Sequence, residues 1–477
     1  VTRRPNVVVV LTDDHAAHAI SAYGSVVNST PRIDEIGELG WRFEHCFATN
    51  SLCSPSRASI LTGTYSHVNG VTTLVTPIDA SQPTFVSQLK AAGYRTAIFG
   101  KWHMGEGPGH DPQGFDEWQV FLDQGEYVDP LLLSADGVRT VPGYATDIIT
   151  DLALDWVESL PAEEPWCVLV WHKAPHRPWV PDPNRPLAPE TPVPMPVTFQ
   201  DDYATRSSSA RRAAMRIAEH LNAEDLKVDP PAGLTYDELA AWKYQRFMSD
   251  YLACVASVDD SVGRITDRLR ERGDLDDTLL LYASDQGFFL GDHGWFDKRF
   301  MYEESLRMPL LLSYPRRLRG GQVFDEIVTN VDWARTILDA CGVEPHPRMQ
   351  GRSFWPDLLG SAVEPPASGM YYRYWEHDDV FHKAPAHYGY RTERYKLVYF
   401  YNDGLGLPGT GSFTYPAEWE LYDLAEDPHE LRNVAEEPAY AGVRAELEAE
   451  MWLAQKRVGD VPHPGQPLPA LLAEADA

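Results

Sequence analysis

A large, doubly wound α/β sheet sandwiched by helices, followed by a smaller α+β unit on an antiparallel sheet, is the fold class this 477-residue sequence predicts. Three observations carry it. Runs such as Asn-Val-Val-Val-Val-Leu-Thr at 6–12 are apolar or β-branched throughout, as in strands buried on both faces of a mostly parallel sheet. These runs alternate with helix-length amphipathic segments, the pattern of βαβ winding. Beyond Glu364-Pro365-Pro366, which reads as a linker, aromatic strand-like runs take over and a single helix follows.

The elements follow in order. The strand at 6–12 ends in Asp13-Asp14-His15. Residues 53–63, Cys-Ser-Pro-Ser-Arg-Ala-Ser-Ile-Leu-Thr-Gly, enter a helix with Pro55 in its first turn, where a missing N–H costs nothing, and stop near Gly63. Cys53 then sits at the positive helix end with Arg57 one turn on, a place where anions bind. Residues 84–92 form a helix stopped by Gly93, and 95–99 the next strand. A helix at 145–160 leads to a buried strand at 166–171. Residues 180–235, rich in Pro, Asp and Ser, read as an insertion over the sheet edge with a short helix at 208–222. A long helix with a charged outer face spans 236–272, and strands follow at 278–283 and 309–313. In the smaller unit, strands are expected at 370–375, 395–401 and 419–424 and a helix at 440–456. The implied division is 1–362, 363–460 and a surface tail at 461–477, loose beyond Pro462.

Composition removes several classes. A net charge of −29 argues against nucleic acid and anionic membranes as partners. No stretch approaches the about 18 apolar residues that span a bilayer. The start lacks the layout of a signal peptide, so the expected location is the cytoplasm, or outside it if a leader has been trimmed. Five scattered cysteines (Cys46, Cys53, Cys167, Cys254, Cys341) are not a disulfide framework. In so acidic a chain an anionic substrate needs a local gathering of Lys, Arg, His and metal.

Such a gathering is readable. Asp13-Asp14, Gly100-Lys101-Trp102-His103 and Ser284-Asp285-Gln286-Gly287 each follow a predicted strand directly. Ala174-Pro175-His176-Arg177-Pro178 lies three residues past one, and Lys298 follows a Gly-Asp-His-Gly loop. Ligands of doubly wound sheets sit beyond such strand ends. Asp13, Asp14 and Asp285 are hard oxygen donors, Gln286 adds an amide oxygen, and the set suits Ca²⁺ or Mg²⁺ rather than Zn²⁺. Arg57, Lys101, His103, His176 and Lys298 supply positive charge and proton transfer. His377, His382 and His387 recur every five residues, a spacing that fits neither one helix face nor a zinc pattern.

The Cys-x-Pro-Ser-Arg stretch at 53–57 resembles the signature of the type I, formylglycine-dependent sulfatases of the alkaline-phosphatase-like superfamily, and the clusters above match the same pattern. The resemblance extends through Gly351-Arg352-Ser353, Arg391-Thr-Glu-Arg-Tyr-Lys-Leu and Trp419-Glu-Leu-Tyr-Asp-Leu. It departs at Arg335, where the family usually has proline, and at Gln286, where Asn or His is commoner. It implies that a maturation enzyme oxidises Cys53 to formylglycine, whose hydrate attacks sulfur beside Lys101. It implies a cation, Ca²⁺ with Mg²⁺ as the alternative, on Asp13, Asp14, Cys53, Asp285 and Gln286. It further implies that Arg57, Lys298 and the cation neutralise sulfate, that His176 or Lys298 protonates the leaving alcohol, and that His103 takes a proton from the second hydroxyl.

Residues 291–309 and 371–397 look like bacterial sulfatases acting on sulfated sugars, with N-acetylglucosamine-6-sulfatases the nearest group, although Ala386 stands where a basic residue is common. His293, His387 and Arg391 are expected to face the substrate, and a homo-oligomer is compatible with the reading. The rival within the superfamily is a phosphonate or phosphate ester hydrolase. A rival of another class is an unmodified sulfoglycan-binding protein, against which the intact Cys-x-Pro-Ser-Arg speaks.

Overall fold

The computed structural model describes residues 4–185 and 192–475; residues 186–191 of the expected insertion and the last two of the tail lie outside them. A ten-stranded sheet runs in the order 322–324, 41–43, 310–313, 278–284, 6–12, 166–171, 95–100, 117–121, 131–134, 137–140. The five strands from 278–284 to 117–121 are mutually parallel. Leu310–Ser313 pairs antiparallel with Thr278–Ser284, and the hairpin strands 131–134 and 137–140 extend the far edge antiparallel. The sheet is therefore mixed and mostly parallel, with a separate four-stranded antiparallel sheet of 369–374, 387–392, 395–400 and 418–423.

Alternate side chains of the central strands feed two cores. Val8, Val10, Phe99, Val168, Val170, Leu280 and Tyr282 meet the helices Ala145–Ser159 and Tyr236–Arg272. Val7, Val9, Leu11, Ile98, Leu169, Leu279 and Leu281 meet the helix Cys53–Thr62 and the helices Phe85–Ala91 and Trp333–Ala340. Both faces are covered, which is why the strands read as continuous apolar runs. The 37-residue helix Tyr236–Arg272 begins at a Thr235/Glu238 capping box and ends at left-handed Gly273.

Register decides the site. Thr12 pairs with Ser284, Leu11 with Trp171, and Gly100 also with Trp171, so four strand ends finish within a residue of one another. Cross-strand bonds continue past them, from Asp285 N to Thr12 O at 3.1 Å and from Lys101 N to Trp171 O at 2.7 Å. Gly100 has a φ of 111°, and a Cβ there would strike the Trp171 carbonyl oxygen. A glycine is what lets Lys101 leave the sheet at this point.

Several elements differ from the sequence expectation. The helix expected at 208–222 is broken into Ser208–Arg212 and Ile217–His220. The strand His387–Thr392, the hairpin 131–140 and the short strand Trp41–Phe43 were not anticipated. The segment beyond Pro462 is tied down: Tyr388 Oη bonds Gln466 Oε1 at 2.5 Å and Tyr399 Oη bonds the Gly465 carbonyl at 2.9 Å. Residues 363–367, in the link between the two sheets, are exposed. All five cysteines are free and buried. Among the described residues no helix is long and apolar enough to cross a membrane.

Candidate active site

Each of the five parallel strands delivers polar groups at its carboxyl end. The helix Cys53–Thr62 lies entirely buried beside them, with Cys53 at its first position. Asp13, Asp14 and Asp285 are fully buried and present carboxylate oxygens within 4.8 Å of one another; Asp13, Cys53 and His176 form a second such group. The Cys53 thiol donates to Asp13 Oδ1 at 3.4 Å.

Three cations balance the three carboxylates. Arg57 donates from Nε to Asp285 Oδ2 at 2.9 Å, from Nη2 to Asp13 Oδ2 at 3.3 Å and from Nη1 to the Lys101 carbonyl at 2.8 Å. It is sealed from solvent, and these bonds tie its guanidinium to the carboxylate cluster. Lys101 bonds Asp13 Oδ2 and, at 2.5 Å, Gln124 Oε1. Lys298 donates to both Asp14 oxygens, at 2.7 and 2.9 Å. Left-handed backbone at Asp14 (φ 68°), His103 (55°) and Asp297 (79°) marks the cluster, conformations that persist only where surrounding structure imposes them.

The protonation pattern follows from burial and neighbours. Burial would raise Asp13, but Lys101, His176 and Arg57 hold it well below the usual carboxylate range. Burial, with Asp13 and Asp297 nearby, lifts Asp14 to about 8 despite Lys298. Burial and Asp13 lift Asp285 to about 6. Burial and Asp13 also push the Cys53 thiol far up, so the unmodified side chain is no thiolate at neutral pH. Burial and Lys101 bring His103 down to about 4, leaving it neutral and able to accept a proton; its Nε2 lies 3.3 Å from Asp123. His176 Nδ1 lies 2.6 Å from the Arg177 carbonyl, which makes Nδ1 the donor and leaves Nε2 bare, 3.8 Å from Asp14.

These residues fit a divalent cation. Gln286 Nε2 bonds Asp14 Oδ1 at 2.6 Å, while its Oε1 is buried without a partner, a spare hard donor beside three crowded carboxylates.

A cleft of about 430 Å³ opens over Cys53, lined by His176, Lys298, Gln124, Arg177, Asp225 and Phe381 among others. The residues expected to face substrate are elsewhere. His293 is buried, with Nδ1 2.9 Å from Asp201 and Nε2 3.7 Å from Glu304. Arg391 is 3 % exposed and donates to both oxygens of Glu303. His387 is buried among Tyr372, Tyr374 and Phe400. None of the three lines the cleft. His377 and His382 also stand apart from His387, bonded to the Phe413 carbonyl and to Asp379 respectively.

Sequence reasoning missed Gln124, Asp225 and Phe381. Gln124 lies just past the strand Glu117–Phe121, so recognising that strand would have pointed to it. Arg177, within the motif at 174–178, clamps Asp225 through Nε at 3.0 Å and Nη2 at 2.6 Å.

The buried histidines give stability a pH dependence. Burial brings His172 down to about 3 and His387 to about 4. Their stabilising contribution is complete above about pH 6.5, where the unfolded imidazole is also neutral. It is lost as pH falls from there toward those values, at about 1.4 kcal/mol per pH unit for each. His293, raised to about 9 by Asp201 and Glu304 against burial, acts oppositely: its contribution is complete below about pH 6.5 and lost as pH rises through about 9. Between pH 6.5 and 5 the urea midpoint should therefore fall less, or rise more, with decreasing pH in His387→Phe than in the parent. An identical slope in that variant would refute the assignment.

The sequence model of the Sulfatase family matches residues 5–343, and that of the N-sulphoglucosamine sulphohydrolase C-terminal region matches residues 291–457. An N-acetylglucosamine-6-O-sulfatase of Bacteroides thetaiotaomicron is 39% identical, the match covering 96% of this chain and 88% of that protein. The human N-acetylglucosamine-6-sulfatase is 29% identical over 76% of this chain and 65% of its own length. A solved structure in complex with its substrate, D-glucosamine-2-N,6-O-disulfate, is 38% identical with a TM-score of 0.88, covering 96% of this chain and 98% of the other. A phosphonate monoester hydrolase of Agrobacterium radiobacter shares the fold at 22% identity and a TM-score of 0.73, covering 95% of this chain and 96% of its own.

Proposed function

The chain belongs to the sulfatase family and hydrolyses sulfate esters of sugars, and from that premise we propose that its substrate is a glucosamine carrying a 6-O-sulfate. The observation that carries the reading is the convergence of Asp13, Asp14, Asp285, Lys101, Lys298 and His176 around Cys53 at one end of the sheet. The relatives that support the sugar are named for N-acetylglucosamine 6-O-sulfate or bound to a glucosamine with a 6-O-sulfate.

Asp13, Asp14 and Asp285 with Gln286 Oε1 would hold the cation, Ca²⁺ ahead of Mg²⁺ because Ca²⁺ tolerates an irregular oxygen set. That cation supplies charge neutralisation at the sulfate oxygens. Oxidised by a maturation enzyme to formylglycine, Cys53 supplies a hydrated aldehyde as nucleophile toward sulfur. The remaining work belongs to this chain's own side chains. Lys101, held between Asp13 and Gln124, keeps a positive charge beside position 53. A sugar 6-hydroxyl is a primary alcohol and a poor leaving group, so its oxygen needs a proton. Lys298 carries that proton in its ammonium, while His176 presents Nε2 as the acceptor that orients the departing hydroxyl. His103, neutral and braced by Asp123, accepts the proton released when sulfate is expelled.

The test is sulfate release from defined sugars. N-acetylglucosamine 6-sulfate should be turned over at least about 100-fold faster than its 3-O-sulfated isomer, a discrimination within reach of one misplaced polar group. Faster cleavage of an aryl phosphonate than of any sulfated glucosamine would transfer the site to phosphorus esters.

A further inference from the structure

We propose that Phe381 is the platform on which the sugar ring of the substrate stacks, and so a specificity-determining residue; this rests on the sulfated-sugar reading of the cleft. Phe381 is 80% exposed, as is its neighbour Val380, yet Phe381 lines the same cleft as Cys53, His176 and Lys298. A scattered exposed phenyl ring is ordinary on a protein surface, but one at the mouth of a catalytic cleft is placed to meet a ligand.

Its loop is braced rather than collapsed. Asp379 Oδ1 accepts from the backbone N–H groups of Phe381 at 3.1 Å and His382 at 2.9 Å, and pairs with His382 Nδ1 at 2.9 Å. The His382 carbonyl accepts from Ala214 N at 2.6 Å. His382 Nε2 lies 3.3 Å from Asp297, the residue before Lys298, so the platform is tied to the segment that carries a proposed catalytic group.

The occupant follows from the chemistry. One face of a pyranose presents C–H groups, which pack on an aromatic face and gain more there than on an aliphatic surface of equal area. The tryptophans near the site cannot serve: Trp171 is fully buried, and Trp102 is 4% exposed with its Nε1 committed to the His110 carbonyl.

The experiment compares the mature enzyme with Phe381→Ala, Phe381→Leu and Phe381→Trp on N-acetylglucosamine 6-sulfate and on a short primary alkyl sulfate. The alkyl ester has the same kind of leaving oxygen and no ring. KM for the sugar should rise about tenfold in Phe381→Ala, with kcat within about twofold. Leu should restore little and Trp most of the loss. Turnover of the alkyl sulfate and inhibition by inorganic sulfate should be unchanged in all three variants. Equal losses on both substrates, or full recovery by Leu, would overturn the platform. Release of sulfate from the alkyl ester but from no sulfated sugar, by the parent enzyme, would instead overturn the substrate reading and the platform with it.

Discussion

Cys53→Ala should abolish sulfate release, by at least about 10⁴-fold, while leaving the fold and the affinity for inorganic sulfate close to the parent's. The parent side chain is 1% exposed, its thiol bonds Asp13, and burial keeps it protonated. As a thiol it is neither nucleophile nor metal ligand at neutral pH, and the proposed mechanism assigns the chemistry to its oxidised form. Alanine removes one atom from the start of a packed helix and leaves Lys101, Lys298 and the three carboxylates paired as before. Melting temperature and sulfate inhibition separate lost chemistry from lost structure. The peptide spanning position 53 of the active parent should be lighter than the encoded peptide by about 18 Da, the change from thiol to aldehyde. Retention of more than a hundredth of the parent rate would sink the assignment.

The largest effect on stability is expected from Lys396→Met, a loss of about 3–5 kcal/mol, the range seen when one partner is taken from a buried ion pair. Lys396 is fully buried on the strand Tyr395–Phe400, with Nζ 2.8 Å from Glu303 and 2.7 Å from Glu430. Arg391 adds the second cation on Glu303. Glu430 sits at about 7, raised by burial and Glu303 against Lys396, and removing the ammonium raises it further. The cluster bolts the small sheet to the segment leading out of the active site, so its failure should show as a lowered urea midpoint. Adding Glu430→Gln should recover part of the loss, because the orphaned carboxyl no longer has to be accommodated. No recovery in the double variant would mean that packing of the lysine stem, not charge, was measured.

The strands at 6–12, 166–171 and 278–284 were legible because burial on both faces leaves an unbroken apolar run. Their polar sequels were legible because a parallel sheet collects strand ends on one edge. Partnership at long range was not legible. Arg57 lies at the spacing that suggests an anion ligand, yet Asp285, 228 positions away, and Asp13 occupy its guanidinium. Arg391 and His387 belong to a buried strand: Arg391 is paired with Glu303 at a separation of 88 residues, and His387 Nδ1 bonds the Pro385 carbonyl. Buried polar residues break the alternation by which strands are recognised, and those two were expected to face the substrate. Phe381 carries no local signal at all: a phenylalanine in a loop becomes noteworthy only when the loop's neighbours are known.

The depth at which position 53 is sealed sets a clock on the protein's own manufacture. The maturation enzyme proposed for Cys53 would have to reach that side chain before the helix Cys53–Thr62 beds onto the sheet, since both are buried in the fold. The central strand Asn6–Thr12 lies between partners at 166–171 and 278–284, so the sheet under that helix is incomplete until about 225 residues beyond position 53 have been made. At ordinary synthesis speeds this takes roughly 10–50 s. Under the proposed maturation, chains that collapse before that point are expected to remain unmodified and inactive until unfolded.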